Sequence, residues 1–291
     1  MRIVMDFDGV YTDPSREGES CSLSFRNKIA SLRLGEVGLG TEENVDSWLG
    51  ELRARAAREP FRFGWRSEGK VSAFIFEDPF LRNIGLADYL DHLVKEGNER
   101  AVRVLKGLAS KEKIRSFGEL SEWSFHQLVL KKKPDPAAKA WVVSAIERGH
   151  EVFIVSNSAT EKIHEFLEQA AFPAEKRPLV RGGARKFGLG KNPHPLTVGL
   201  SGAQEIRVDT DRPHYEAALM EIRPDAVIGD VFCLDLALPV RLKREKKLSF
   251  AGGIHYRCRD YTPSSMLGLM GSKESRVPEV SVLREWDQLG L

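Results

Sequence analysis

The chain begins with MRIVMDFDGVYTD (1–13), in which a short apolar run is followed by two aspartates separated by one residue. The apolar residues predict a buried strand over 2–8. Side chains alternate between the two faces of a strand, so Asp6 and Asp8 are expected to point the same way. Two carboxylates aimed together from the end of a buried strand repel each other and lose solvation. The arrangement therefore indicates a cation or a reaction that uses both groups.

The composition is typical of a globular protein that works on neither nucleic acid nor membranes. Of the 291 residues, 42% are hydrophobic and 30% are charged, and the formal net charge is +2. This length allows one large domain or two modest ones. Because the charge is close to neutral, we interpret the basic runs at 131–133 and 243–247 as solvated surface or linker.

The cysteines and the first residues predict a cytoplasmic protein. Three widely spaced cysteines match no metal-ligand spacing and suit a reducing compartment: Cys21, Cys233 and Cys258. The N-terminus enters a strand directly, unlike a signal peptide. No segment approaches the roughly 18 apolar residues of a transmembrane helix. The sequence leaves the oligomeric state open.

Strands and helices are predicted to alternate from residue 134 onwards. Apolar runs that end in polar residues predict further strands at 151–157, 178–181, 205–209 and 225–230. Helical patterns lie between them at 136–149, 160–170 and 213–222, with Thr160 as an expected N-cap and Pro213 at a first helical position. This alternation predicts an α/β fold, a doubly wound, Rossmann-like parallel sheet covered by helices on both faces.

The segment 14–133 interrupts this pattern and is predicted to be an inserted, mainly helical cap domain. Its own patterns are two helices at 41–57 and 86–107 and a strand at 71–76. Lys133-Pro134-Asp135-Pro136 is interpreted as the linker that returns the chain to the core. The core domain is then 1–13 and 134–291. Within it, the tail 250–291 contains an apolar run ending at Leu283, which we assign to the sheet edge.

Three polar motifs follow predicted strands, in the order DFDGVYTD (6–13), VFIVSNSA (152–159) and AVIGDVFCLD (226–235). In open parallel sheets ligands bind at the carboxyl ends of the strands, where all three motifs fall. Together they resemble the haloacid dehalogenase superfamily of aspartate-dependent phosphotransferases. The resemblance covers about 1–13 and 134–240. The insertion lies where that superfamily carries a cap, between its first and second motifs.

The aspartates suit phosphoryl transfer, which mostly requires positioning and neutralisation of negative charge. Asp6 is expected to attack phosphorus and form an aspartyl-phosphate, which divides one difficult step into two. Asp8 is expected to protonate the leaving oxygen and later to accept a proton from water. Mg²⁺ prefers oxygen ligands and would offset the repulsion between the carboxylates.

The resemblance implies further roles. The expected metal ligands are Asp6, the backbone carbonyl of Asp8, and Asp230, while Asp235 would hold the metal's waters or orient Asp230. Ser156 and the backbone N–H of Asn157 would bind a phosphoryl oxygen. Gly9 permits the close turn beside them.

The third-motif cation of the superfamily has two candidates in this sequence. Arg212, before Pro213, stands where a Lys-Pro pair often begins the helix that precedes the last motif, and it is the first choice. Lys186, in the glycine-flanked RGGARKFGLG, is the second, because that basic turn follows a predicted strand. The Lys-Pro at 133–134 precedes the Ser156 motif and is therefore in the wrong order.

The sequence thus predicts a Mg²⁺-dependent phosphatase for a small phosphorylated metabolite, because an inserted cap closes the site against macromolecules and water. A phosphomutase, which returns the phosphoryl group to a sugar, remains an alternative. So does a non-catalytic binding protein on the same fold. Dehalogenation is disfavoured, because it uses neither a protonating Asp8 nor a magnesium site.

Overall fold

The computed structural model describes residues 1–128, 133–199, 205–270 and 276–290. Within the basic run 131–133, Lys131 and Lys132 lie outside the described residues. The chain divides into two compact units. The first comprises Met1–Asp13, Ser67–Ala73 and Lys132–Leu291, and the second Pro14–Arg66 and Phe74–Lys131. Their assignment as core and cap domains stays a prediction.

The secondary structure alternates after the insertion, as the sequence predicts. The strands are β1 (Arg2–Met5), β2 (Gly64–Ser67), β3 (Lys70–Phe74), β4 (Glu151–Val155), β5 (Leu179–Arg181), β6 (Pro195–Gly199), β7 (Glu205–Asp209), β8 (Ala226–Gly229), β9 (Gly253–Arg257) and β10 (Val280–Leu283). The α-helices are α1 (Ser15–Ala30), α2 (Glu42–Ala56), α3 (Pro79–Lys95), α4 (Glu99–Glu112), α5 (Phe117–His126), α6 (Pro136–Glu147), α7 (Thr160–Gln169), α8 (Pro213–Ile222), α9 (Ala237–Arg244) and α10 (Ser264–Leu267).

The first unit contains a six-stranded sheet with the order β10-β9-β8-β1-β4-β5, and all its strand pairs are parallel. The α/β class and the parallel sheet are confirmed, as is the place of the tail's apolar run at the sheet edge, in β10. The strand predicted at 205–209 is confirmed, but it is not part of this sheet. That segment, β7, pairs antiparallel with β6 in a separate ribbon.

Strand β1 lies at the centre of the sheet, between β4 and β8. Met5 is in register with Ile154 on one side and Ile228 on the other. All three residues are almost completely buried, which explains why these strands are apolar along their length. The register places the residues after Met5, Val155 and Ile228 along one edge of the sheet.

Several boundaries differ from the sequence prediction, and two of them lie next to the polar motifs. The first strand ends at Met5 and does not extend to residue 8, because the chain turns there: the N–H groups of Tyr11 and Thr12 both donate to the carbonyl of Phe7. The N-cap of α7 is Ala159, so the prediction of Thr160 was wrong. The Thr160 hydroxyl instead accepts a hydrogen bond from the N–H of Gly182 at 3.1 Å.

The second unit is mainly helical, with a core built from one face of each of α1–α5. The sequence predicts a single helix over 86–107, and this was wrong. Helix α3 ends at Lys95, Gly97 has a φ of +78°, and the Asn98 side chain caps the start of α4 by accepting from the N–H of Ala101. A glycine in the left-handed region followed by an Asn cap separates two helices.

In the part of the chain that the structure describes, no helix combines the length and apolar character needed to cross a membrane.

Candidate active site at the carboxyl ends of the central strands

Three carboxylates from two distant motifs meet at the central edge of the sheet. Asp6 follows β1, Asp230 follows β8, and Asp235 lies five residues further on. Each offers an oxygen atom, and these atoms all lie within 4.8 Å of one another. Asp230 and Asp235 are almost completely buried. Charges buried this closely are costly unless a cation accompanies them.

The carboxylate set fits a hard divalent cation. Neighbouring ligands of an octahedral Mg²⁺ at about 2.1 Å lie about 3.0 Å apart and opposite ligands about 4.2 Å. The oxygens of Asp6, Asp230 and Asp235 all lie within 4.8 Å of one another, an upper limit slightly above the separation of opposite ligands. The predicted proximity of Asp230 to the first motif is therefore present in the fold.

Gly9 makes room for Asp230. Its φ is +78°, and a Cβ atom at this position would lie 1.8 Å from Oδ2 of Asp230. Any side chain at position 9 would displace that carboxylate. The glycine after Asp8 therefore serves both the turn and the close approach of Asp230.

Lys186 forms ion pairs with two of the three clustered carboxylates. Its Nζ lies 2.7 Å from Oδ1 of Asp6 and 2.8 Å from Oδ1 of Asp235, and the side chain is 1% exposed. The backbone holds it there: the N–H of Lys186 donates to Oδ1 of Asn157 at 2.6 Å. The N–H of Ala184 also donates to the carbonyl of Ser156 at 2.8 Å. Hydrogen bonds thus connect the loop after β5 to the loop after β4.

Arg212 occupies a different place, although it is fully buried. Its guanidinium donates to the hydroxyl of Ser72 at 2.9 Å, to the carbonyl of Ser72 at 2.7 Å, and to the carbonyl of Lys186. These contacts support the main chain of the lysine loop. Of the two candidates for the third-motif cation, the geometry favours Lys186, and the assignment stays a prediction.

Asp8 and Ser156 lie in a small hydroxyl network. The Asp8 carboxylate accepts hydrogen bonds from the hydroxyls of Thr12 at 3.4 Å and Ser158 at 3.3 Å. Ser156 is 1% exposed, and its Oγ accepts the N–H of Ser158 at 3.1 Å. The first and second motifs are therefore connected through Ser158, which follows the predicted Ser156-Asn157 pair directly.

A π-helical turn at Phe232–Leu236 brings Asp235 back over the end of β8. Its Oδ2 accepts the N–H of Val231 at 3.1 Å, while its Oδ1 faces Lys186. A Cβ at Gly229 would lie 2.2 Å from the Cβ of Asp235, so only glycine fits there. With both oxygens engaged, Asp235 is suited to orienting its neighbours.

The electrostatics show a shortage of positive charge. Burial raises the pKa of Asp6 to about 7; Lys186 opposes this, and the carboxylates of Asp235 and Asp8 add to it. Burial lowers the pKa of Lys186, but attraction to Asp235 and Asp6 outweighs it and holds that pKa above its ordinary value. One ammonium therefore faces more carboxylates than it can neutralise, which is the condition that a divalent cation would relieve.

Sequence reasoning missed two residues from the segment after β9. The hydroxyl of Tyr261 donates to Oδ2 of Asp230 at 2.7 Å. The guanidinium of Arg259 donates to the carbonyls of Gly9, Val10 and Thr12 in the loop after β1. No local pattern marks either residue, because their partners are more than thirty and about 250 positions away.

No protein-family model matches the sequence, and no curated protein matches it. Several solved structures match the chain at low identity and low TM-score. YfnB of Bacillus subtilis, described as a HAD-hydrolase bound to magnesium, is 11% identical with a TM-score of 0.41, covering 99% of this chain and 96% of its own. A haloacid dehalogenase-like family hydrolase from Xanthomonas campestris is 13% identical with a TM-score of 0.43, covering 99% and 88%.

A third neighbour is CbbY of Rhodobacter sphaeroides in complex with xylulose-1,5-bisphosphate. It is 10% identical with a TM-score of 0.42, covering 99% of this chain and 96% of its own. Neighbours at similar scores also include 2-haloacid dehalogenases. Because these values are low, function has to be inferred from the site itself. The sheet order gives the first unit a Rossmann-like α/β fold, and the strand-end positions of its three motifs are those on which its resemblance to the haloacid dehalogenase superfamily rests.

Proposed function

We propose that the protein is a Mg²⁺-dependent phosphatase that hydrolyses a small phosphorylated metabolite through an aspartyl-phosphate on Asp6. The observation that carries this proposal is the cluster of Asp6, Asp230 and Asp235 oxygens within 4.8 Å, with Lys186 paired to two of them. A carboxylate nucleophile next to fixed positive charge is what phosphoryl transfer needs.

The nucleophile in this scheme is Asp6. Its ion pair with Lys186 directs one oxygen and favours the charged form, which is the nucleophilic one. Bound Mg²⁺ would supply positive charge for the phosphoryl oxygens and the carboxylates, with Asp6, the Asp8 carbonyl and Asp230 as its protein ligands. Asp235 would hold Lys186 in place.

Asp8 is the proposed general acid and base. Its carboxylate is held by two neutral hydroxyls and lies beside the nucleophile, so it can donate a proton to the leaving oxygen and take one from water. Ser156 would bind a phosphoryl oxygen: its Oγ accepts from Ser158, which leaves the hydroxyl hydrogen for another acceptor. The N–H of Asn157 would assist.

The proposed substrate class rests on the inserted segment. We take 14–133 as the cap domain and 1–13 with 134–291 as the core domain. A cap that excludes water favours a small molecule over a macromolecule. The retained Asp8 and the carboxylate cluster argue for phosphate-ester hydrolysis over dehalogenation, which requires neither.

A phosphate-release assay tests the proposal. The purified chain should hydrolyse p-nitrophenyl phosphate or members of a phosphorylated-metabolite panel with Mg²⁺, and excess EDTA should stop it. Asp6→Asn should abolish turnover, because the amide is a poor nucleophile. Asp287→Asn, at an exposed position, is the matched control and should retain full activity. Robust turnover by Asp6→Asn would contradict the proposal.

The phosphomutase alternative shares the first half-reaction. A mutase would be stimulated by a sugar bisphosphate and would release little free phosphate. A hydrolase would release one phosphate for each substrate consumed. Saturable metal binding without turnover on any substrate of the panel would indicate the non-catalytic alternative.

A further inference from the structure

The segment after β9 forms a tight turn, Arg259–Thr262, that contacts two parts of the candidate site. The N–H of Thr262 donates to the carbonyl of Arg259 at 2.9 Å, and the N–H of Arg259 donates to Oγ1 of Thr262 at 2.9 Å. These reciprocal hydrogen bonds fix the turn that carries the side chains of Arg259 and Tyr261. The turn belongs to none of the three motifs.

Tyr261 extends from this turn to Asp230. Its hydroxyl lies 2.7 Å from Oδ2, and both residues are buried, at 9% and 1% exposure. A phenol donates one directional hydrogen bond and brings no net charge. It therefore fixes the rotation of the Asp230 carboxylate and leaves its negative charge in place. A positively charged partner would neutralise that charge.

Arg259 anchors the loop after β1, which packs against the same carboxylate. Its guanidinium donates to the carbonyls of Val10 at 2.9 Å and Thr12 at 3.4 Å and to that of Gly9. It also pairs with Asp135 at 2.7 Å. Asp230 rests against Gly9, where a Cβ would lie 1.8 Å from its oxygen. One turn thus fixes the carboxylate and the loop against which it packs.

We propose that Tyr261 is a positioning residue for the divalent-cation site, acting by orienting Asp230 from a turn that Arg259 anchors to the loop after β1. This inference rests on the proposed function. Hydrogen bonds that orient a metal ligand are commonly worth 10- to 100-fold in metal affinity. Tyr261 therefore sets the affinity of the site for its cation and takes no part in the chemical step.

The test is Tyr261→Phe, which keeps the ring and removes only the donor. Mn²⁺ serves as the probe, because it takes oxygen ligands as Mg²⁺ does and its binding is followed by electron paramagnetic resonance. We expect the Mn²⁺ dissociation constant to rise about tenfold or more. The Mg²⁺ concentration for half-maximal activity should rise in parallel, with kcat at saturating Mg²⁺ changed little.

The matched control is Tyr11→Phe. Tyr11 is fully buried, and its hydroxyl has no hydrogen-bond partner among the residues that the structure describes. This variant should bind Mn²⁺ within about twofold of the wild type. The metal-free melting temperatures of both variants, followed by circular dichroism, should stay close to that of the wild type, which separates positioning from a loss of fold.

Two results would overturn the inference, and they differ. If the wild type binds Mn²⁺ and Tyr261→Phe binds it equally well, the positioning role is wrong and the proposed function stands. If the wild type shows no saturable Mn²⁺ binding, the proposed function fails and the inference fails with it.

Discussion

The Nζ of Lys186 lies 2.7 Å from Oδ1 of Asp6, although 180 residues separate them in the chain. The same ammonium lies 2.8 Å from Asp235, so a single buried cation joins the first strand of the sheet to the turn after β8. This triad fixes the orientation of the proposed nucleophile before any ligand arrives.

Replacing Lys186 with Met should leave the buried carboxylate of Asp235 and the partly buried one of Asp6 without their cation. Breaking a buried ion pair by removing one partner typically costs about 3–5 kcal/mol in the free energy of unfolding. We expect a loss of that order by urea denaturation, together with a fall in kcat of about 10²–10³-fold in phosphate release. Lys191→Met, at an exposed position, is the control and should change neither quantity appreciably.

Arg212→Lys tests the competing assignment. This variant keeps the positive charge but loses the fork that donates to Ser72 and to the carbonyl of Lys186. We expect lower stability, by about 1–3 kcal/mol, and a smaller loss of kcat than in Lys186→Met. The opposite ranking of the two kcat values would mean that Arg212 is the neutralising cation.

Asp6→Asn should stabilise the metal-free protein in a pH-dependent manner. The pKa of Asp6 rises from its ordinary 3.8 to about 7 on folding, chiefly through burial. The fold therefore disfavours the ionised form: stability is complete below about pH 4 and decreases as pH rises through 7. At 1.4 kcal/mol for each tenfold step, the variant should gain about 2–4 kcal/mol over the wild type between pH 4 and pH 8. Urea denaturation in the presence of EDTA measures this difference in the free energy of unfolding. A difference that does not change with pH would contradict the prediction.

Gly9→Ala and Gly149→Ala form a matched pair. Their φ values are +78° and +81°, so alanine adds similar backbone strain of about 1–2 kcal/mol at both. A Cβ at Gly149 meets nothing within 4 Å, whereas one at Gly9 meets Asp230. We expect both variants to lose stability, and only Gly9→Ala to lose Mg²⁺ affinity by calorimetric titration. Equal Mg²⁺ affinity in the two would show that Gly9 does not position Asp230.

Arg259→Gln should destabilise the protein by about 2–4 kcal/mol. The guanidinium is partly buried and donates to three backbone carbonyls and to Asp135, and a shorter amide cannot reach them all. Arg244→Gln provides the comparison, because Arg244 pairs with Glu279 at 38% exposure and should cost less than about 1 kcal/mol. Unfolding by urea distinguishes them; similar losses would argue against the anchoring role of Arg259.

The sequence predicted the parts of this site that follow apolar strands. The runs before Asp6, Ser156 and Asp230 are largely buried, so these strands could be located from hydrophobicity, although the residue at which each one ends could not. The same signal could not separate Arg212 from Lys186. Both are cations beside predicted strand or helix ends, and only the path of the loop after β5 determines which one meets Asp6.

The residues that escaped prediction depend on the tail. Strand β9 is short, begins at a glycine with a φ of +104°, and contains His255, so its pattern is not that of an apolar strand. Because β9 was not predicted, the turn that follows it and carries Tyr261 could not be positioned from the sequence. Likewise, the break between α3 and α4 depends on one cap and one left-handed glycine, which helical periodicity does not detect.

The grouping of Ser67–Ala73 with the first unit limits how the protein can be shortened. Ser72 accepts two hydrogen bonds from Arg212, and its own hydroxyl donates to the carbonyl of Phe187 at 2.7 Å. Excising 14–133 to obtain a minimal catalytic fragment would also remove Ser72 and its hydrogen bonds to Arg212, the residue that supports the main chain of Lys186. A truncated version therefore has to keep Ser67–Ala73, either through a redesigned linker or as an added peptide.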